Sequence, residues 1–319
     1  MRPMRHPFSV AALLALALGA ALAAQQGAAP PALRVSLVQG SVHLISGAGA
    51  NITVQVGSNG VLLVDTPAPA QAPAVMAEVR KLSPMALRYI IQTSVNNDAV
   101  GGTAAVLGPT GGRALPFGFV GLNRASVIAH ENVLNRLSAQ ETPAPPPASL
   151  PTTTYFQPTM DFYNSEPIIL YHQPAAHTDS DTVVLFRKSD VISTGAVFTP
   201  GRYPTIDTAR GGSVQGLVAA LGTILQLAVP AAFEDGGTQI VPGRGRISEE
   251  TDVAEFRDMV VIIKDRIQDL IKKGNTLVQI QAARPTRDYD AEYGATAADA
   301  ERFVESIHRS LTQKPGGRS

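Results

Sequence analysis

The residues of this 319-residue sequence that could carry chemistry gather in four short stretches. Asn96, Asn97 and Asp98 form a polar turn that runs into Gly101 and Gly102. His130 precedes Glu131 in IAHEN, His177 leads Asp179 and Asp181 in HTDSDT, and Arg244 lies in IVPGRGR. An imidazole and a carboxylate together can do acid–base work near neutral pH, provided a nucleophile is positioned beside them. The absence of cysteine excludes disulfides and thiolate metal sites. No nucleophile-elbow serine and no G-x-x-x-x-G-K-[ST] loop occurs, so serine-hydrolase and nucleotide-binding readings lack support. His43 falls in an alternating stretch and reads as a half-exposed strand residue. His130 is a possible cleft residue, with a helix-cap or packing role preferred. His172 and His177 are five apart and share no face of a strand or helix, so they are not an evident chelating pair.

These side chains need elements to hold them. LRYII, ahead of the Asn96–Asp98 turn, is an apolar run that reads as a buried strand delivering a loop to a sheet edge. Before it, LRVSLVQG, SVHLISG, NITVQVG and GVLLVDT read as a β-meander with a hairpin turn at Ser58-Asn59-Gly60. Asp65, at the end of the last strand, reads as a turn or cap residue. Residues 71–83 have helical spacing through Val75, Met76, Val79 and Leu82. A short helix at 103–107, a glycine-rich loop over 108–121, a strand at 125–129 and a helix at 131–137 follow. TPAPPPASLP, residues 142–151, is too proline-dense for regular structure and reads as a stiff surface spacer.

The second half returns to strands at 166–172, 182–186 and 190–194, then a helix at 214–228 and a strand at 239–241. A long helix over 249–273 carries Val253, Phe256, Val260, Ile263 and Ile267 at three- and four-residue spacing, and Gly274 ends it. Helices at 276–283 and 297–311 complete the chain. Strands followed by mixed strand and helix, repeated once, predict two sheets packed face to face with helices outside.

Composition narrows the partners. Apolar residues make up 45%, enough to fill a core, and only 16% are charged, with 26 bases against 26 acids. With no basic block outside the N-terminus, a nucleic-acid partner is not expected. MRPMRHPFSVAALLALALGAALAAQQ has a basic start, an apolar stretch from about Phe8 to Leu22 and small residues at Ala21 and Ala23, the layout of a secretory signal peptide. The apolar stretch falls short of the ~20 residues that a span needs. The expected division is a signal peptide at 1–23, a linker at 24–33, a folded domain at 34–290 and a C-terminal helix and tail at 291–319. Cleavage would leave an exported protein, periplasmic or secreted, with no membrane span.

Six segments in order carry a resemblance. VLLVDT ends in Asp65, and IIQTSVNNDAVGG, IAHEN, AAHTDSDTVVLF, VISTGAVFTPGRYPTID and IVPGRGR follow. Over roughly residues 34–290 the sequence resembles the metallo-β-lactamase superfamily. The resemblance implies an α/β fold, an αββα four-layer sandwich of two mixed β-sheets with outer helices. It also implies a dinuclear zinc site, with three histidines for the first metal at the places of Ser94, Asn96 and His177. The second zinc would use Asp98, histidines at the places of Ala99 and Arg244, and a bridging aspartate at Ala196. Only Asp98 and His177 match. Asp179 and Asp181 resemble positions that shape the loop around His177.

A catalytic zinc needs three protein ligands and an open position where its bound water becomes a hydroxide. Ala99 and Ala196 offer no donor atoms, Ser94 and Asn96 are poor zinc ligands, and Arg244 brings a permanent positive charge. No zinc and no other cofactor is therefore expected. A carboxylate stranded by loss of the metal needs a partner, so Arg244 is expected to pair with Asp98. The functional expectation is an exported pseudoenzyme that keeps the cleft for an unknown small molecule. The alternative is an active hydrolase of esters or amides, β-lactamase- or lactonase-like. In it Asp98 and His177 are catalytic, with Asn96 and Arg244 assisting and Ser94 as the candidate nucleophile, or a metal sits at a relocated set such as His130 and His172.

Overall fold

Along strands β2 (Val42–Ser46), β3 (Ile52–Gly57) and β4 (Gly60–Val64), side chains alternate between two different cores, which is what a sheet covered on both faces requires. Leu62 and Val64 face one core, whereas Val61 and Leu63 face another together with Val75 and Val79 of helix α1 (Ala72–Leu82). The computed structural model describes residues 32–108, 125–139, 144–233, 236–294 and 296–313. The signal-peptide reading and most of the glycine-rich loop expected over 108–121 lie outside the described residues. From Leu33 onward the chain forms one compact unit.

The first sheet has seven strands in sequence order. β1 (Arg34–Gln39) to β4 form the antiparallel meander, and β5 (Leu87–Gln92), β6 (Ser126–His130) and β7 (Thr153–Tyr155) add in parallel. The second sheet has the order β12 (Gln239–Pro242), β11 (Val191–Gly195), β10 (Asp181–Phe186), β9 (Glu166–Gln173), β8 (Thr159–Tyr163), with only β11 and β12 parallel. Between the sheets, Leu62, Val64 and Ile91 meet Ile168, Leu170, Val184 and Phe186. The outer face of the second sheet, Val183, Leu185 and Ile192, packs under helices α5 (Val214–Leu227) and α6 (Glu250–Lys272). The layers are therefore helix, mixed sheet, mixed sheet, helix, the αββα order that the sequence implied.

Short elements are where the sequence reading departs from the structure. Helices α3 (Thr103–Leu107), after β5, and α4 (Glu131–Ser138), after β6, stand where they were expected, whereas helix α2 (Asn97–Val100) and strands β7 and β8 escaped notice. Residues 144–148 are exposed or half-exposed, but the expected spacer is anchored at its end rather than free of the fold. Pro147–Ser149 form a 3-10 turn, Ser149 is buried, and its carbonyl accepts a 2.9 Å hydrogen bond from Gln92 Nε2. The boundary at 290 also needs correction. After α7 (Leu277–Ala282) and α8 (Asp290–Tyr293), helix α9 (Ala297–Thr312) inserts Phe303, Val304 and Ile307 into the core that holds Val253 and Phe256. Helix and domain share one interior.

Candidate functional site

The strand ends β4, β5, β10, β11 and β12 meet at one rim, and specific hydrogen bonds set how closely. Asp65 closes β4 in a left-handed conformation (φ 64), which aspartate tolerates better than most residues. Its buried carboxylate accepts from the Thr93 amide at 2.8 Å and the Thr93 hydroxyl at 2.7 Å. Thr93 in turn accepts at its carbonyl from the Thr182 amide at the start of β10 (2.8 Å), joining the two sheets. Gly195, at the end of β11, lies so close to Thr93 that a Cβ there would sit 2.4 Å from its hydroxyl. The loop after β12 is tied down by Asn51, whose side-chain amide donates to the carbonyls of Pro242 (2.8 Å) and Gly245 (2.9 Å).

This rim encloses a cavity of about 300 Å³. All seven positions carried over from the resemblance line it, Ser94, Asn96, Asp98, Ala99, His177, Ala196 and Arg244. Four separate segments had to converge for that.

Arg244 reaches across the mouth. Its Nη2 donates to Asp98 Oδ2 at 3.1 Å, and its Nη1 donates to the Gly49 carbonyl on the β2–β3 loop. The expected ion pair is formed. Its side chains are 43% and 36% exposed, so it belongs with surface pairs worth at most ~1 kcal/mol. His177 is buried and its Nδ1–H donates to the Thr205 carbonyl at 2.6 Å, which fixes the tautomer and leaves Nε2 as the acceptor. Asn96 accepts at Oδ1 from Arg210 Nη1 (3.2 Å), and Ser94 Oγ accepts from the Asn96 amide (3.2 Å). Among the described residues no hydrogen bond joins His177 to Ser94.

Two acids behind the cavity are held away from their ordinary range. Burial pushes the Asp65 carboxyl up to about 7, against the pull of the Thr93 hydrogen bonds, with the charges of Asp98 and Asp181 adding to the rise. Burial likewise pushes Asp181 up to about 6, opposed by nearby His177 and by hydrogen bonds from the Thr178 amide and hydroxyl. Asp181 thus shapes the His177 turn, and Asp179 does so from outside it, through a two-pronged ion pair with Arg136 at 2.6 and 2.7 Å.

His130 does not line this cavity. Its Nδ1 accepts from the Asn132 amide (3.2 Å) and caps α4, and its ring stacks on His172 with centroids 3.5 Å apart. Burial, with the neighbouring His172 adding to it, pulls its pKa down to about 4. His172 Nε2–H donates to the Asp179 carbonyl (2.8 Å). The two rings are committed to packing and hydrogen bonding, so a relocated metal set at His130 and His172 finds no support. His43 is half-buried, as its strand position implied.

The cavity also has members that the sequence reading missed. Thr93, Thr199, Arg202 and Thr205 line it, and Asp65, read as a turn residue, is part of its wall. Arg202 and Thr205 lie in GRYPTID, inside a segment singled out for Ala196 alone. A bend beyond a strand end was the available signal.

The zinc pair implied by the resemblance does not fit these residues. Among the described residues no group of three or more His, Cys, Asp or Glu converges as metal ligands would. Of the two donors, the Asp98 carboxylate is engaged by a guanidinium, and His177, whose Nε2 stays open, is a single imidazole where a catalytic zinc needs three protein ligands. A dication here would face the fixed charge of Arg244.

No family model matches the sequence, and no curated protein matches it. Solved structures do. The chain is similar to a metallo-β-lactamase from Pontibacter korlensis, at 12% identity and TM-score 0.55 over 72% of this chain and 99% of that one. It is similar to the stereoselective inverting sec-alkylsulfatase Pisa1 from Pseudomonas sp., at 14% identity and TM-score 0.68 over 88% of this chain, and spans about half of that protein. A third likeness is to the DIM-1 metallo-β-lactamase, at 14% identity and TM-score 0.53 over 72% of this chain and 98% of the other. These identities speak for architecture, and together with the two mixed sheets, their outer helices and the rim just described they establish that the chain has the metallo-β-lactamase fold.

Proposed function

We propose that this protein is an exported member of the metallo-β-lactamase fold that has given up dinuclear zinc chemistry and keeps the rim cavity to bind a small molecule. The observation that carries this reading is the Arg244–Asp98 pair, 3.1 Å apart, at the place where the second metal would be held. The guanidinium supplies the positive charge that the carboxylate needs, and its second prong closes the β2–β3 loop over the cavity. Ala99 and Ala196 turn the same wall apolar. The hydrolase alternative needs a nucleophile next to His177. Ser94, the candidate, is 1% exposed and turned toward the Asn96 amide.

Metal analysis of the purified protein tests the reading. A substoichiometric transition-metal content is expected, and one bound zinc per chain would sink it. The fivefold variant Ser94→His, Asn96→His, Ala99→His, Ala196→Asp, Arg244→His restores the ligand types, and we expect it to gain stoichiometric zinc. Failure of the variant to bind zinc would show that the rim itself has changed beyond its ligands.

A further inference from the structure

The space between the two sheets is filled unevenly. Toward β7 and β8, which have only three and five residues, a second cavity of about 310 Å³ opens. It shares no lining residue with the cavity that holds Asp98. Leu62, Ile91, Ile128 and Leu170 form its floor, and the rings of Tyr89 and Tyr163, packed edge to face 4.8 Å apart, form one wall. Tyr155 offers its ring as well, because its hydroxyl is engaged with Thr182 Oγ1 at 2.6 Å. Asp161 is the only charged residue lining the cavity among the described residues, and it makes no ion pair among them. Among the described residues its carboxylate accepts one hydrogen bond, from the Phe162 amide (3.0 Å). Beside the mouth, Phe156, just past β7, and Met160 and Phe162 of edge strand β8 are 68%, 64% and 68% exposed, an apolar apron.

We propose that this cavity binds an amphiphile with an unbranched apolar tail and a cationic head, the tail lying between the sheets and the head at Asp161. Concave, mostly apolar spaces with a few polar groups at the rim are how proteins bind small molecules, and this volume is at the lower end of their ~300–1,000 Å³ range. A space bounded by two sheets is thin in one direction, which suits a chain better than a fused ring system. Tail burial supplies the affinity. One unpaired carboxylate at the mouth attracts an ammonium and repels a carboxylate, and so selects the head. The proposal is independent of the rim cavity and of its metal content.

Calorimetric titration of the protein with octylammonium and with octanoate, at neutral pH, low salt and below micelle formation, reads it directly. Octylammonium is expected to bind on the order of tenfold more tightly than octanoate, with a negative heat-capacity change. Asp161→Asn should erase that preference while the chain still binds. Ile128→Trp, which fills the cavity, should abolish binding of both, with the melting temperature checked in parallel. If that variant does not fold, Thr153→Trp, at an exposed lining position on the same face of β7 as Tyr155, gives the same reading. Equal affinity for the two heads, or unchanged octylammonium binding in a folded cavity-filled variant, overturns the proposal, the latter because it places the ligand on the surface apron. A protein that dimerises through Phe156 and Phe162 and then releases octylammonium also overturns it, by showing that a second copy is the occupant.

Discussion

At Asp65, burial and hydrogen bonding pull in opposite directions. Burial favours the neutral acid, the Thr93 amide and hydroxyl favour the carboxylate, and burial wins, leaving the carboxyl at about 7 against 3.8 when unfolded. The folded state therefore holds this proton more tightly. The stabilisation is complete below about pH 4 and is lost as pH rises toward about 7. Asparagine keeps an acceptor for the Thr93 amide and tolerates the left-handed backbone. Asp65→Asn is expected to remove roughly 2–4 kcal/mol of this decline, measured as the change in urea-unfolding free energy between pH 4 and pH 7. Asp181, raised to about 6 by burial, leaves a shallower slope of the same sign in the variant. A variant whose profile parallels the parent protein would show that Asp65 is ionised throughout. In the sequence, VLLVDT marked Asp65 as the end of a strand. Nothing local showed that Thr93 would cover it.

For the elements, the rim depends on how closely strand ends approach. Gly195 closes β11 with φ 52, and any Cβ there meets the Thr93 hydroxyl at 2.4 Å. Gly195→Ala is expected to cost roughly 1–3 kcal/mol in backbone strain and to push Thr93 away from Asp65. Thermal unfolding would show the first effect, and a shifted pH profile of stability the second. An unchanged melting temperature and profile would mean that the strand ends accommodate the methyl group. Most elements were legible because periodicity is a local property, as in the spacing of Val253, Phe256 and Val260. The strand β8 was not, since Met160, Asp161 and Phe162 are all exposed and break the alternation. Proline density at 142–151 suggested an exposed spacer, but the structure turns its Ser149 carbonyl inward to Gln92.

For the molecule as a whole, the C-terminal helix belongs to the sandwich. Phe303 is 2% exposed and stacks on Tyr203, ring centroids 4.9 Å apart, and Tyr203 itself lines the rim cavity. Phe303→Ala is expected to destabilise the protein by about 3–5 kcal/mol, read by urea unfolding as a single cooperative transition. Two separated transitions, with only the second at the parent midpoint, would restore α9 as an independent tail. Its amphipathic pattern announced a helix with one buried face, but a pattern on one helix does not say which core receives that face.

The sequence by itself determined the period of each long element, the order of strands and helices, and the side chains available at each rim position. Those facts are local or follow from chain order, and they sufficed to show that Ala99 and Ala196 bring no donor atoms to the site. Contacts between residues far apart in the chain were left to the tertiary structure. It decided that Arg244, 146 residues beyond Asp98, comes within 3.1 Å of it, that His130 turns to cap a helix and stack on His172, and that short edge strands leave a second cavity between the sheets. The physical reason is that side-chain type is written residue by residue, whereas burial, ion pairing and voids depend on which distant surfaces the packing brings together.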